Sequence, residues 1–487
     1  MSTMKMRGGL VVLGGGVSGL TAAFAGAAAA PSVRLVEARA KTGGWFCSEK
    51  RDSDTILERG PHSFRPVGPS GAAVVRLLEE LGLEKEAVPT SASAKARYIW
   101  HNGKLRCMPS SVAGLLREPL TRPLPFLGLR EALLVPKGSG EDESVYDFFA
   151  RRFSPYVAET FADALLQGIF AGDIRRLSVQ ACLPLLPGLE SQYGSIVRGM
   201  LRRAFGSGSL PDPLGEIALE DAVKTAEGQA LVKATGVSFP GGLSRLTREL
   251  ESQVFGASNP HCELKSGAEI VKISLNGDVE LSSGEVLERG ADGHVISSLP
   301  FRALVKVLPE GTGGELRKLA QETPFSSVGV VNFVWDDMSQ LPVPGFGHLV
   351  PTSQMERVIG MIYDSEVFPS QFAKGTSGLT VMMGGMQFPE VARFSEQELV
   401  DLAQEKVREH LGIERAPDAT RAWVLSDCIP QYTLGHKDKV ARARAQLATE
   451  LPFLRVTGNN YDGVGIADTV RSARRMVREI CESDSSV

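Results

Sequence analysis

The chain has 487 residues, of which 43% are hydrophobic and 23% charged. That balance belongs to a globular protein and excludes disorder as the state of any long segment. A net charge of −4 leaves no basic footprint for nucleic acid, and at roughly 150 residues per domain about three domains are expected. The six cysteines, Cys47, Cys107, Cys182, Cys262, Cys428 and Cys481, form no Cys-x-x-Cys pair and read as reduced thiols. The histidines show no zinc-ligand spacing, so no metal site is expected. The longest apolar runs, 22–30 and 328–335, fall short of the roughly 20 residues that a spanning helix needs. The first strand begins at Leu10, which leaves little room ahead of it for a cleavable targeting peptide.

The chain opens on a short apolar strand (10–13), a glycine run, an alanine-rich helix (18–30, ended by Pro31) and a second strand (33–37). Gly14, Gly15, Gly16, Val17, Ser18 and Gly19 satisfy Gly-x-Gly-x-x-Gly between strand and helix. The first glycine allows the tight turn, the second lets a pyrophosphate approach the backbone, and the third permits close helix–strand packing. The helix N-terminus then offers free N–H groups to the diphosphate. Glu37 closes the second strand where a carboxylate accepts hydrogen bonds from ribose hydroxyls. A dinucleotide site follows; a tight structural turn is the alternative.

Further along, 72–83 has helical spacing and closes near Gly82, while 105–137 reads as short helices broken by prolines. Residues 145–205 are mostly helical. A Pro-Gly-Gly turn at 240–242 precedes a helix starting at Leu243, and strands follow at 268–275, 279–281 and 294–297. Residues 328–335 and 379–383 predict a second sheet, and 396–411 an amphipathic helix. The late segment 458–468 is glycine-rich and leads into a helix over 469–481.

Beyond Glu37 and Ala38, the run Lys41-Thr42-Gly43-Gly44-Trp45 resembles the Glu-x-x-x-Arg-x-Gly-Gly continuation of the FAD-dependent amine oxidase superfamily, with Lys41 in place of arginine. The charge is kept and the bidentate fork lost. In that superfamily a segment like 458–468 returns to the first domain and meets the flavin ring, which favours FAD over NAD. Five further blocks, 60–66, 168–173, 345–351, 380–385 and 428–436, resemble mitochondrial-type protoporphyrinogen oxidases. The likeness therefore runs the length of the chain.

The resemblance implies an α/β and α+β fold: a Rossmann-type FAD-binding domain, a mixed-sheet substrate domain and a helical membrane-binding domain. The FAD-binding domain is expected in three parts, 1–90, 236–300 and 421–487, the helical domain at 91–205, and the substrate domain at 206–235 and 301–420. Besides the glycine run, Glu37, Ala38, Lys41, Gly44 and Trp45, the implied flavin contacts are Gly60, Pro61, His62 and Ser63, then Ile270, and then Val464, Gly465 and Ile466. His62 stands where animal members carry arginine. Cys428 lies where monoamine oxidases attach flavin, but Ile-Pro-Gln-Tyr after it follows the porphyrinogen oxidases, so FAD is expected to be non-covalent.

The implied reaction is oxidation of protoporphyrinogen IX to protoporphyrin IX, the penultimate step of heme biosynthesis, with molecular oxygen as acceptor. Arg97 would pair with a propionate, Phe346 and Leu349 would sandwich the macrocycle, Met382 would line the pocket, and Gly168 would lie beside the reacting carbon. No general base stands out, so water or the substrate itself is expected to take the proton. The basic, leucine- and proline-bearing stretch 97–137 suits a membrane surface. The resemblance also implies a homodimer at the mitochondrial inner membrane. The competing readings are another amine oxidase-type flavoenzyme and a non-catalytic protein like the GDP-dissociation inhibitors.

Overall fold

This computed structural model describes residues 5–52, 54–205, 218 and 221–486. The strand Leu10–Leu13 is buried along its whole length, as the centre of a sheet covered on both faces must be. It lies in a five-stranded, all-parallel sheet in the order Leu454–Val456, His294–Ser297, Leu10–Leu13, Val33–Glu37, Cys262–Ser266. The chain leaves the central strand first to one side and later to the other. A crevice therefore opens at the carboxyl ends of Leu10–Leu13 and His294–Ser297.

Helices Val17–Ala27, Gly68–Leu81, Ser244–Phe255 and Ile466–Ser485 bury their apolar faces against one side of this sheet. Phe301–Val307, Gly314–Glu322 and His436–Glu450 cover the other. The first helix ends at Ala27, before Pro31, and the second at Gly82, which takes a left-handed φ of 71°.

A second, seven-stranded mixed sheet has the order Ala419–Pro430, Phe325–Trp335, Ser377–Gly384, Val358–Ile362, Gly347–Leu349, Arg97–Trp100, Leu105–Cys107. Residues alternate between its faces, except at irregularities between Ser326 and Val328 and between Val358 and Gly360. Val331, Phe333, Trp335, Val381 and Met383 pack on one face under helix Glu396–Leu411, with Leu399, Ala403 and Val407. That helix is the amphipathic one expected, begun by a capping box at Ser395 and Glu398. The opposite face looks toward the nucleotide-binding core.

The third unit is helical. Its helix Leu124–Leu134 is inside out: the buried member is Glu131, while Phe126, Leu129, Leu133 and Leu134 are exposed. Glu131 bonds the fully buried Arg152 and accepts from Ser195 Oγ at 2.6 Å and from the N–H of Ile196 at 2.9 Å, at the start of helix Ile196–Phe205.

The domain boundaries differ from those expected. Arg97–Trp100 and Leu105–Cys107 hydrogen-bond into the seven-stranded sheet, so the helical unit begins at Val112 rather than 91. Residues 221–235, placed with the substrate domain, pack Leu231, Val223 and Val232 on the nucleotide-binding core, and Glu79 accepts from the N–H of Thr225 at 2.7 Å. Most of 206–220 lies outside the described residues. Residues 301–322 likewise belong to the nucleotide-binding core, and the seven-stranded sheet keeps its last strand through Pro430, beyond the expected break at 421.

Candidate active site

The glycine run forms the turn its spacing predicts. Gly14 has φ 95°, and a Cβ on Gly19 would lie 1.9 Å from the Gly14 carbonyl oxygen, so no side chain fits there. A Cβ on Gly16 would meet nothing closer than 3.9 Å, which leaves open space before the turn. Gly16 caps the first helix without a side-chain hydrogen bond, so the first-turn N–H groups of Val17 and Ser18 have no side-chain acceptor at the cap. Glu37 accepts the N–H of Gly15 at 2.7 Å and that of Arg39 at 2.8 Å, which fixes its carboxylate at the mouth of the turn. Ala268 N–H bonds the Glu37 carbonyl at 3.0 Å and brings Ile270 alongside.

The second glycine pair closes on the first. Gly43 N–H donates to Gly15 O at 2.8 Å, and Gly43 and Gly44 adopt φ of 110° and 60°. Lys41 and Ala38 are exposed, and Lys41 makes no hydrogen bond among the described residues. Arg39 stacks on Trp45, its guanidinium carbon 5.9 Å from the ring centre. Gly60 packs on the Trp45 carbonyl, where a Cβ would come within 2.1 Å, and this fixes the Gly60-Pro61-His62-Ser63 loop beside it.

From the other end of the chain, Thr457 Oγ1 lies 3.4 Å from Ser18 Oγ, in the first turn of the first helix. The segment 458–465 thus lands on the glycine turn, with Gly458 and Gly463 at φ 113° and 148°. Gly465 caps Ile466–Ser485 without a side-chain bond, which leaves Val464, Gly465 and Ile466 at a second uncapped helix N-terminus.

Register in the seven-stranded sheet shows what faces this core. Asn332, Thr380, Ile362, Gly347 and Arg97 form one row across the sheet. Val330, Met382, Gly360, Leu349 and Ile99 form the next, about 7 Å along the strands. Arg97, Leu349 and Met382 therefore share one face. Met382 and Trp45 both pack on the cluster of Val328, Val330, Ile359 and Leu425, so that face meets the loop that carries Trp45.

Gly168, on helix Asp163–Phe170, lies over Leu349, and a Cβ there would come 2.8 Å from Leu349 Cδ2. Asp163 at the start of that helix accepts the N–H of Thr352 at 2.6 Å and ties the helix to the turn that follows strand Gly347–Leu349. Burial pushes its pKa up to about 6. Phe346 stands at the border, packed with Ala94, Val367 and Phe368, its ring centre 5.0 Å from the Arg97 guanidinium.

Three features escaped the sequence reading. Burial and then the like charge of Arg65 lower the pKa of Arg97, and neither arginine has a carboxylate partner among the described residues. Both arginines are exposed. His62 Nδ1 pairs with Asp364 at 2.8 Å, an acid hidden in a short helix after the strand Val358–Ile362. Thr380 continues that contact into the sheet, donating to Asp364 at 2.5 Å. Arg65, three residues past His62, and Thr380 were within reach, since each lies in a block already singled out; Asp364 carried no local signal.

Elsewhere, burial pushes the Cys428 thiol up to about 12. An open groove of about 400 Å³ lined by Lys50, Asp54, Pro240 and Lys374 shares none of the site residues. The cluster Glu356, Glu409 and His410 is closed by Lys406, whose ammonium lies 2.7 Å from each carboxylate.

Residues 17–481 match the family of flavin-containing amine oxidoreductases. Protoporphyrinogen oxidase of Homo sapiens is 36% identical over 96% of this chain and 97% of its own length. Coproporphyrinogen III oxidase of Bacillus subtilis is 26% identical over 96% and 97%. The solved structure of a putative protoporphyrinogen oxidase from Exiguobacterium sp. 255-15 superposes with a TM-score of 0.79 at 23% identity, over 98% of this chain and 100% of that one.

Proposed function

The chain belongs to the family of flavin-containing amine oxidoreductases and is an FAD-dependent oxidoreductase; on that premise we propose that it oxidises protoporphyrinogen IX to protoporphyrin IX, as the penultimate step of heme biosynthesis. The observation that carries the substrate is the shared sheet face bearing Arg97, Leu349 and Met382, which reaches Trp45 through the cluster of Val328, Val330, Ile359 and Leu425. A flat apolar floor with a cation at its border suits a flat macrocycle with propionates. Arg97 and Arg65 repel a cationic amine, which sets the reading apart from an amine oxidase.

The residues present fit FAD. Gly14–Gly19 and the uncapped N-terminus of the first helix would hold the diphosphate, Glu37 the ribose, and the Gly465 terminus the ring, where it would stabilise negative charge on reduction. When bound, the flavin supplies a two-electron acceptor. The protein's part is positional: Gly168, which lets Leu349 pack close against its helix, would lie beside the reacting carbon, Leu349, Met382 and Phe346 would hold the ring plane, and Arg97 would fix its orientation. Oxygen is proposed as the electron acceptor.

A membrane surface is the proposed setting, at the mitochondrial inner membrane and with a homodimer as the working assembly. No helix among the described residues is long and apolar enough to cross a bilayer. The inside-out helix Leu124–Leu134 supports contact from one side, with Val112, Leu116, Leu201 and Phe205 also exposed and Arg117, Arg122 and Arg130 nearby in sequence. Neutralising Arg106, Arg117, Arg122 and Arg130 is expected to weaken flotation on anionic vesicles. Unchanged flotation would refute this part.

The function is tested by porphyrin fluorescence and hydrogen peroxide release with protoporphyrinogen, coproporphyrinogen and amines. Protoporphyrinogen is expected to give the highest kcat/KM. A preference for coproporphyrinogen, which carries more propionates, would transfer the reading to that substrate, and activity on amines alone would overturn it.

A further inference from the structure

Each oxidation of a porphyrinogen removes one hydrogen with an electron pair and a second as a proton, and that proton needs an acceptor beside the macrocycle. We propose that Nε2 of His62, oriented by Asp364, is the acceptor; the proposal rests on a porphyrinogen being the substrate.

His62 Nδ1 lies 2.8 Å from Asp364, and both side chains are nearly buried. The carboxylate fixes the tautomer, with Nδ1–H donating and the Nε2 lone pair free, as in hydrolase triads. Nε2 is itself buried and has no hydrogen-bond partner. A buried, unpartnered nitrogen is costly unless a ligand completes it.

The acid behind it is braced. Thr380 Oγ1 donates to Asp364 at 2.5 Å and accepts from Asn332 Nδ2 at 2.6 Å, and Asn332 also reaches the Glu58 carbonyl at 3.3 Å. Thr380 and Asn332 occupy the row of Arg97, next to the row of Met382 and Leu349. His62 thus stands where the glycine-rich core meets the proposed substrate face. Two carboxylates, Asp364 and Glu58, face the imidazole, and although burial opposes its charge they leave its pKa above the ordinary value. Glu58, held by the Leu243 N–H at 2.7 Å and Ser48 Oγ at 2.9 Å, is itself pushed up by burial.

In the step, a C–H bond of the macrocycle breaks and its electron pair passes with the hydrogen to the oxidised flavin. A pyrrole N–H bond breaks and its proton passes to His62 Nε2. The substrate loses two electrons and the flavin gains them. Reoxidation by dioxygen, giving hydrogen peroxide, takes up that hydrogen and one proton and returns the imidazole to its neutral form. Asp364 touches neither reactant and is a positioning residue.

The test is anaerobic stopped-flow reduction of FAD-loaded wild type, His62→Gln and Asp364→Asn by protoporphyrinogen across the neutral pH range. Wild-type bleaching identifies the substrate independently; its absence would defeat the functional reading, not this inference alone. Given bleaching, the wild-type rate should fall as pH drops through an apparent pKa above that of free histidine. His62→Gln should slow it by about 10²-fold or more and remove that limb. Asp364→Asn should move the limb to lower pH, an effect that loss of packing would not produce. His62→Gln reducing at the wild-type rate would overturn the proposal. Should that variant lose its flavin, an unmoved limb in Asp364→Asn would do so. Nitrogen NMR of labelled histidine in the resting holoenzyme adds a readout without turnover: Nδ1 protonated and Nε2 an acceptor at high pH is expected, and the reverse tautomer would count against the assignment.

Discussion

Arg97 feels the like charge of Arg65, and neither has a carboxylate partner among the described residues, so the proposed substrate carboxylate would relieve that repulsion. Arg97→Ala should therefore raise KM for the porphyrinogen about tenfold or more, with a smaller change in kcat, because a charge-assisted bond made equally in ground and transition states acts on binding. A raised KM for Arg65→Ala would place the second cation in the same site. At Cys428 burial favours the neutral form. A thiol pushed up to about 12 stays protonated and is a poor nucleophile, so acid precipitation should release the flavin into the supernatant; a yellow pellet would contradict this. His348 Nε2 and His410 Nδ1 lie 2.9 Å apart under the sheet, and burial lowers the pKa of His410 from 6.5 to about 4. The unfolded chain then binds the proton more readily, so this group's share of stability is full above pH 6.5 and is lost as pH falls toward 4. His410→Gln should flatten the fall in Tm over that window.

At the level of elements, helix Leu124–Leu134 carries the sharpest contrast between pattern and placement. Its leucines and phenylalanine predict a helix but not which side faces out. Only the partners of Glu131, namely Arg152, Ser195 and the start of Ile196–Phe205, decide that. Exposed positions there tolerate charge, so Phe126→Asp with Leu133→Asp should fold normally and lose vesicle flotation. Glu131→Leu should instead lower stability by about 3–5 kcal/mol, because it leaves Arg152 buried with one carboxylate fewer. The opening strand, helix and strand, the helix Glu396–Leu411 and the strand over 328–335 were legible because their periods and caps are local. The short strands Arg97–Trp100 and Gly347–Leu349 were not, since they are stable only as neighbours in a sheet.

For the whole molecule, the same distinction explains which parts of the site could be read ahead. The glycine turn and Glu37 lie within one βαβ unit, and a spacing rule suffices for them. Arg97, Leu349 and Met382 were named by resemblance alone. Their placement in two rows of one face depends on strands brought together from across the chain. The domain boundaries failed for a related reason: 221–235 and 301–322 carry apolar faces that fit the nucleotide-binding core, and no composition change marks where a chain crosses from one core to another. Asp364 meets His62, and Thr380 meets Asp364, only in the assembled molecule. The central claim is that one flavin, held between the ends of the chain, accepts electrons from a porphyrinogen lying on the seven-stranded sheet. It is tested most directly by mixing the purified protein with protoporphyrinogen IX without oxygen and recording the flavin band near roughly 450 nm. Rapid bleaching with growth of porphyrin fluorescence is predicted, whereas a flavin that stays oxidised in the presence of excess porphyrinogen would contradict the account.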